Sequence, residues 1–255
     1  MNINDEQARY AQDIVYEAME CVCEDGEKAA KLCHKALSID LDCVDAILML
    51  SDLESETAEE HIASAQKAVA AGIRGLGEDF FEEAVGNFWG IIETRPFMRA
   101  MADLAESYLM LGKKGHSTAI QLYEEMLKLN PNDNQGIRYL LISCYFNTKR
   151  YADAGKLLDK YDDDVSALFL WSRVLYDYIT SGKAEAEKSL EQAEYYNPHV
   201  LKYLIDRKRL PSDSPVSYAA GEESEAQCCA EILKPSWRLH PKAKKWLKEY
   251  EAGKS

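Results

Sequence analysis

Four cysteines and a histidine, Cys21, Cys23, Cys33, His34 and Cys43, fall close together in this chain, and thiolates with imidazole are the usual ligands of zinc. Zinc knuckles bring their ligands in as close pairs on turns. Cys33 and Cys43 instead occupy helix-compatible positions, where small apolar residues are expected, so the set reads as buried thiols. Seven cysteines without framework spacing fit reduced thiols rather than disulfides. Asp162, Asp163 and Asp164 form a second cluster with cation-binding chemistry. Their loop lacks the alternating oxygens and distal glutamate of a calcium loop, and carboxylates are independently favoured ahead of a helix starting near Ser166. His34, His61, His116, His199 and His240 are scattered with no HExxH helix or nucleophile elbow, and GIRGLG lacks the lysine and preceding strand of a phosphate loop. The expectation is therefore no catalytic residue, no metal, no cofactor and no enzymatic activity.

Charge narrows the partners. Forty-four acidic against 30 basic residues give a formal net charge of −14, which repels a phosphate backbone and disfavours nucleic acid and anionic membrane. A basic or neutral partner fits better. The hydrophobic content of 47% is that of a folding chain, no apolar run approaches the ~20 residues of a membrane span, and MNINDEQARY does not read as an export signal. The expected location is the cytoplasm.

The elements that would position any site follow from spacing. Ala119, Tyr123 and Met126 lie at offsets that keep them on one helical face, and Pro131 ends the helix. The same offsets recur at Ala29, Cys33, Ala36 and Leu41; at Ala58, Ile62, Ala65 and Ala70; at Ala84, Phe88, Ile91 and Pro96; at Ala154, Leu158, Tyr161 and Ser166; and at Ala186, Leu190, Ala193 and Pro198. A second pattern precedes the alanine: Met101, Leu104, Ala105, Tyr108, Gly112, then Trp171, Val174, Leu175, Tyr178, Gly182. Here glycine closes the helix in a left-handed conformation. Ile137, Leu140, Leu141 and Cys144 repeat it, with Thr148 in the place of the glycine.

These patterns predict helix pairs at 5–23 with 26–40, 42–53 with 56–71, 97–111 with 116–130, 134–147 with 151–161, and 166–180 with 184–197. Segment 80–96 reads as an additional single helix, HVLKYLIDRKRL as a cap on the last pair, and 222–233 and 241–250 as tail helices. The expected domains are a repeat array at 1–210, a linker at 211–221 and a tail at 222–255 packing on the array. In RLHPKAKKWLK, Trp246 is interleaved with Arg238, Lys242, Lys244, Lys245 and Lys248. In so acidic a chain this segment is expected to dock internally, with Trp237 and Trp246 as anchors.

The helix-turn-helix unit, Trp-x2-Leu-small-x2-Tyr before Ala-x3-bulky-x2-small-x4-Pro, resembles the tetratricopeptide repeat of about 34 residues. Ala119, Ala154 and Ala186 are 35 and 32 apart. The resemblance implies an all-α, tetratricopeptide-like α-solenoid of about five helix pairs, with an extra helix and a C-terminal helical cap. LLDKYDDDV, YNPHVLKYLIDRKRL and GEESEAQCCAEILKPSW, with the earlier ALSIDLDCVDAILMLSDLESETAEEHIASAQKAVAAG, are further similar to the carboxy-terminal region of the suppressor of tumorigenicity 7 family, in a bacterial-type relative. That resemblance runs over about 29–250 and is best over 154–237. It brings no catalytic mechanism and implies that tail and repeats form one unit. Eukaryotic members carry membrane-associated amino-terminal segments, which are not read in this chain, so a membrane location is not carried over.

Tetratricopeptide arrays bind partners on their first helices, at positions flanking the packed ones. By that resemblance the partner-binding candidates are Arg99, Glu106, Gln135, Arg138, Ile142, Tyr145, Ser172 and Tyr176. Arg138 would grip a peptide carboxylate, and Tyr145 and Tyr176 would supply apolar area with a polar end; the alternative is that these side chains only complete helix packing. The lysine and asparagine pairs of the family's two-carboxylate clamp are not reproduced. The expected function is a non-catalytic scaffold for a protein or peptide, as monomer or homodimer. Two alternatives stay open: a small-molecule sensor or enzyme with a pocket near Gly72–Gly90, where Phe80, Phe81, Phe88 and Trp89 crowd, and a structural dimerisation module.

Overall fold

The computed structural model describes residues 3–215 and 217–254; Val216, inside the expected linker, and Met1 and Asn2 lie outside them. The described chain is all-helical, and it divides into two compact units, Met1–Ile137 and Arg138–Ser255. In the first, α1 (Ile3–Cys21) pairs with α2 (Gly26–Ile39), α3 (Val44–Glu54) with α4 (Ala58–Leu76), and α6 (Arg95–Met110) with α7 (His116–Leu129). The first helices α1, α3 and α6 are neighbours in chain order, and the short α5 (Glu78–Ala84) packs on α4. The second unit carries α8 (Ile137–Asn147), which begins at the boundary residue, α9 (Tyr151–Lys160), α10 (Ala167–Thr180), α11 (Lys183–Tyr196), α12 (Val200–Leu204), α13 (Glu223–Leu239) and α14 (Pro241–Gly253).

Three of the six expected seams are wholly buried, and the others partly. Ala29, Cys33 and Ala36, then Ala119, Tyr123 and Met126, then Ala186, Leu190 and Ala193 are all buried. A small side chain lets helix backbones approach, and each buried leucine of the seam contributes about 2 kcal/mol. Gly72 shows how close the approach is, since a Cβ there would lie 2.9 Å from the Phe97 ring. Local chemistry fixes the ends. Thr57 and Glu60 form a reciprocal capping box on α4, and the Asp25 carboxylate accepts from the Lys28 amide at 2.9 Å to start α2.

Three expectations are corrected. Segment 80–96 is not one helix: α5 ends at Ala84, two short 3₁₀ turns follow at Phe88–Gly90 and Ile92–Thr94, and Pro96 stands in the first turn of α6. Proline ends one helix or opens the next with equal ease, because the first turn needs no amide donors. The left-handed residue after α8 is Lys149, with φ 61°, rather than Thr148, whose hydroxyl bonds back to the Cys144 carbonyl at 2.8 Å. At Gly182, φ 90° matches the expected glycine closure. Finally, the first tail helix runs through Pro235 to Leu239 instead of ending at 233. Proline removes the donor for the carbonyl one turn earlier, which lies at the exposed Glu231, while the Ser143 hydroxyl donates to the neighbouring Ile232 carbonyl at 3.1 Å.

The tail is built into the second unit. Helix α13 packs on α10 and α12, and α14 on α10 and α13. Trp246 stacks on Tyr178 at 5.1 Å between ring centroids, Trp237 is fully buried, and the Tyr178 hydroxyl donates to the Lys242 carbonyl at 3.2 Å. Glu225 is buried and accepts from the Ala167 amide at 2.9 Å, the Asn197 amide group at 2.9 Å and the Gly221 amide at 2.8 Å. A carboxylate from the tail thus meets the opening turn of α10, where helix amides lack partners.

Candidate functional site

A cleft of about 320 Å³ opens in the first unit between α1, α3 and α6, lined by Met19 and Val22, by Asp45, Leu48, Met49, Asp52 and Leu53, and by Arg99 and Asp103. Two helices contribute to the lining with one spacing: Asp45, Met49 and Asp52 on α3, and Arg99 and Asp103 on α6, where Glu106 continues the i, i+4, i+7 series beyond the lining. That spacing points each trio toward one face. Of the candidates, Arg99 lines this cleft and Glu106 lies one turn beyond Asp103 on the same helix face.

The charges are unevenly matched. Asp45 is buried and receives Arg99 Nε at 2.9 Å and Nη2 at 2.5 Å, with Gln12 Nε2 donating at 2.9 Å. This bidentate pair occupies the one guanidinium of the lining. Asp52, Asp103 and Glu106 make no ion pair among the described residues, and Asp103 Oδ2 is buried without a hydrogen-bond partner. Burial pushes the Asp103 carboxyl up, helped by Asp52 and opposed by His61. Glu106 is raised by desolvation, then by Asp103 and Asp52, although its side chain reaches solvent. A group in a concavity is accessible and yet crowded by protein, so it loses hydration without being covered.

The other candidates are placed differently. Gln135 is half-buried, with Oε1 enclosed and unpartnered. Arg138 lies over the Tyr139 ring at 4.3 Å, Tyr161 at 5.3 Å and Phe169 at 5.8 Å, and its Nε donates to Asp164 at 2.7 Å. It grips a carboxylate of its own unit. Burial alone would raise Asp164, but hydrogen bonds from Ser166 and Arg138 hold it below the usual carboxylate range. Ile142, Tyr145 and Ser172 are buried, which corrects their assignment as partner-facing. Helix α10 is packed by α9, α11, α13 and α14, leaving few surface positions on it. Tyr176 is half-buried with its hydroxyl against Gly155.

The remaining chemistry is structural in its surroundings. Burial raises Cys33 and Cys43 to about 11 and Cys144 to about 12, so these thiols are protonated at neutral pH. His34 pairs with Glu54 at 3.0 Å. No group of histidine, cysteine or carboxylate side chains that could hold a metal ion occurs among the described residues. The glycine-rich junction is filled by aromatic packing: Phe81 lies 5.2 Å from Phe88 and 5.1 Å from Phe97, with Phe88 fully buried. Trp89 sits outside this cluster, under Arg95 at 5.3 Å.

The chain is similar to known proteins over part of its length. The tetratricopeptide repeat family profile matches residues 115–165. Over 204 residues the chain is 27% identical to Protein ST7 homolog of Drosophila melanogaster and 25% identical to Protein ST7 homolog of Drosophila pseudoobscura pseudoobscura, covering 71% of this chain in both. It spans 38% and 37% of the length of those relatives. A solved structure titled for the functional characterization of Pseudomonas aeruginosa pilF is 14% identical, covering 74% of this chain and 93% of that one, with a TM-score of 0.37. The chain thus resembles tetratricopeptide and ST7 proteins, and no helix among its described residues is long and apolar enough to cross a membrane.

Proposed function

We propose that the chain is a non-catalytic binding scaffold that holds a protein or peptide against the first helices of its N-terminal unit. The observation that carries this reading is the open cleft between α1, α3 and α6, which joins apolar walls to Asp52 and Asp103, two carboxylates that make no ion pair among the described residues. A preformed surface on packed helices limits the entropy lost on association. Arg99 and Glu106 remain part of the proposed surface, joined by Leu48, Met49, Asp52, Leu53 and Asp103. The repeat array and its tail, a cytoplasmic setting and a partner other than nucleic acid belong to the same reading, the last supported by the net charge of −14.

Affinity capture from native lysate, with wild type beside the double variant Met49→Glu/Leu53→Glu, tests it. Leu53 is 37% exposed and Met49 half-buried against the core, so circular dichroism of the variant checks that its fold is kept. A partner held by wild type and lost from the variant is expected. Identical capture by the two proteins would remove the cleft from the function.

A further inference from the structure

We propose that the cleft between α1, α3 and α6 receives a lysine or arginine side chain presented between apolar residues of a peptide segment. The inference rests on the scaffold reading and specifies the chemistry of its partner.

Three features of the cleft converge on this occupant. Its walls, Met19, Val22, Leu48, Met49 and Leu53, are apolar, and Met19 remains 41% exposed. Methionine adapts its shape to what it meets. Its floor holds three carboxylates against one guanidinium, and that guanidinium is bound to Asp45. That guanidinium leaves Asp52 and Asp103 unanswered, neither of them ion-paired among the described residues, with His61 near Asp103 and Glu106 one turn further along α6; their charge attracts a cationic head entering the cleft. A long basic side chain satisfies both parts, laying its methylenes on the walls and its charged head on the floor. A metal ion fits poorly, because these carboxylates do not gather into a metal-holding group. Two lysines of the C-terminal helices, Lys234 and Lys244, are already paired to Asp206.

Methionine methyl spectra and fluorescence anisotropy test the proposal on the full chain. The probe is a short capped peptide alternating leucine with lysine, compared with versions carrying glutamine or glutamate in place of lysine. The lysine peptide is expected to shift the Met19 and Met49 methyls while leaving the buried Met98 and Met126 in place. Asp52→Asn/Asp103→Asn should weaken it about tenfold, the loss of one or two charge-assisted contacts. Glu187→Gln/Glu191→Gln removes the same charge from exposed positions of α11 and should change binding by less than about twofold. Equal shifts with the glutamine peptide, or equal weakening by the α11 variant, would overturn the basic partner and leave the scaffold standing. Methyl shifts that follow protein concentration alone would assign the face to a second copy and overturn it too. No response of Met19 or Met49 to any peptide would sink both.

Discussion

In the C-terminal unit Asp206 lies between Lys234 and Lys244, and buried Glu225 accepts from three amides; in the N-terminal unit Asp52 and Asp103 line a cleft whose one guanidinium is bound to Asp45, and neither makes an ion pair among the described residues. Both units are built from similar helix pairs. They differ in what lies against the first helices. Around α10 the chain supplies its own cover, α13 and α14, with Trp246 on Tyr178 and Glu225 on the Ala167 amide. Across α1, α3 and α6 the surface stays open. The contrast lies in whether the charges beside a first helix find partners in the chain, and under the proposed function the unanswered ones serve binding.

Removing an anchor of the covered region should have the largest effect. Trp237→Ala is expected to cost about 3–5 kcal/mol in urea unfolding, because it empties a fully enclosed site, whereas Leu53→Ala should cost under about 1 kcal/mol. Equal costs would erase the distinction between covered and open faces. A smaller effect compares two acidic residues. Glu225→Ala strands three donors and should cost roughly 2–3 kcal/mol, while Asp52→Asn should stay within about 0.5 kcal/mol, since Asp52 is exposed and makes no ion pair among the described residues.

The smallest expected effect is in pH dependence, and its sign differs between the units. Hydrogen bonds from Lys234 and then Lys244 lower Asp206 to about 2. Its stabilisation is full above the ordinary value of 3.8 and is lost as pH falls toward about 2. Asp103 and Glu106 are raised above their ordinary 3.8 and 4.5, so between those values and the raised ones the folded state binds more protons. The N-terminal unit should therefore gain stability as pH falls through that window. Carboxyl-carbon NMR titration should find Asp103 and Glu106 protonating well before Asp206 on acidification; titration of all three together would remove the electrostatic part of the comparison.

Much of the fold was legible because its signals are local. Offsets of three and four residues placed Ala119, Tyr123 and Met126 on a buried face, and the capping residues of α2 and α4 sit within three residues of what they cap. The 80–96 segment misled because Pro96 can close a helix or open one, and the choice depends on Phe88 and Thr94 packing beneath α6. The candidate site was legible in part. Arg99 and Glu106 occupy flanking positions of their repeat, whereas Asp52 and Asp103 carry no repeat signal of their own beyond the spacing that Asp45, Met49 and Asp52 share with Arg99, Asp103 and Glu106. Tyr145 and Ser172 looked equally suitable as surface residues. Nothing in their spacing shows that other helices bury them.

The sequence by itself determined most of the helices, the pairing of α1 with α2, α3 with α4, α6 with α7 and α10 with α11, and the acidic balance of charge, since each follows from neighbours a few residues apart or from composition. Only the tertiary structure decided which charges are answered. Glu225 meets Ala167 and Lys244 meets Asp206 across long stretches of chain, and the energy of a carboxylate is set by the groups that folding brings against it.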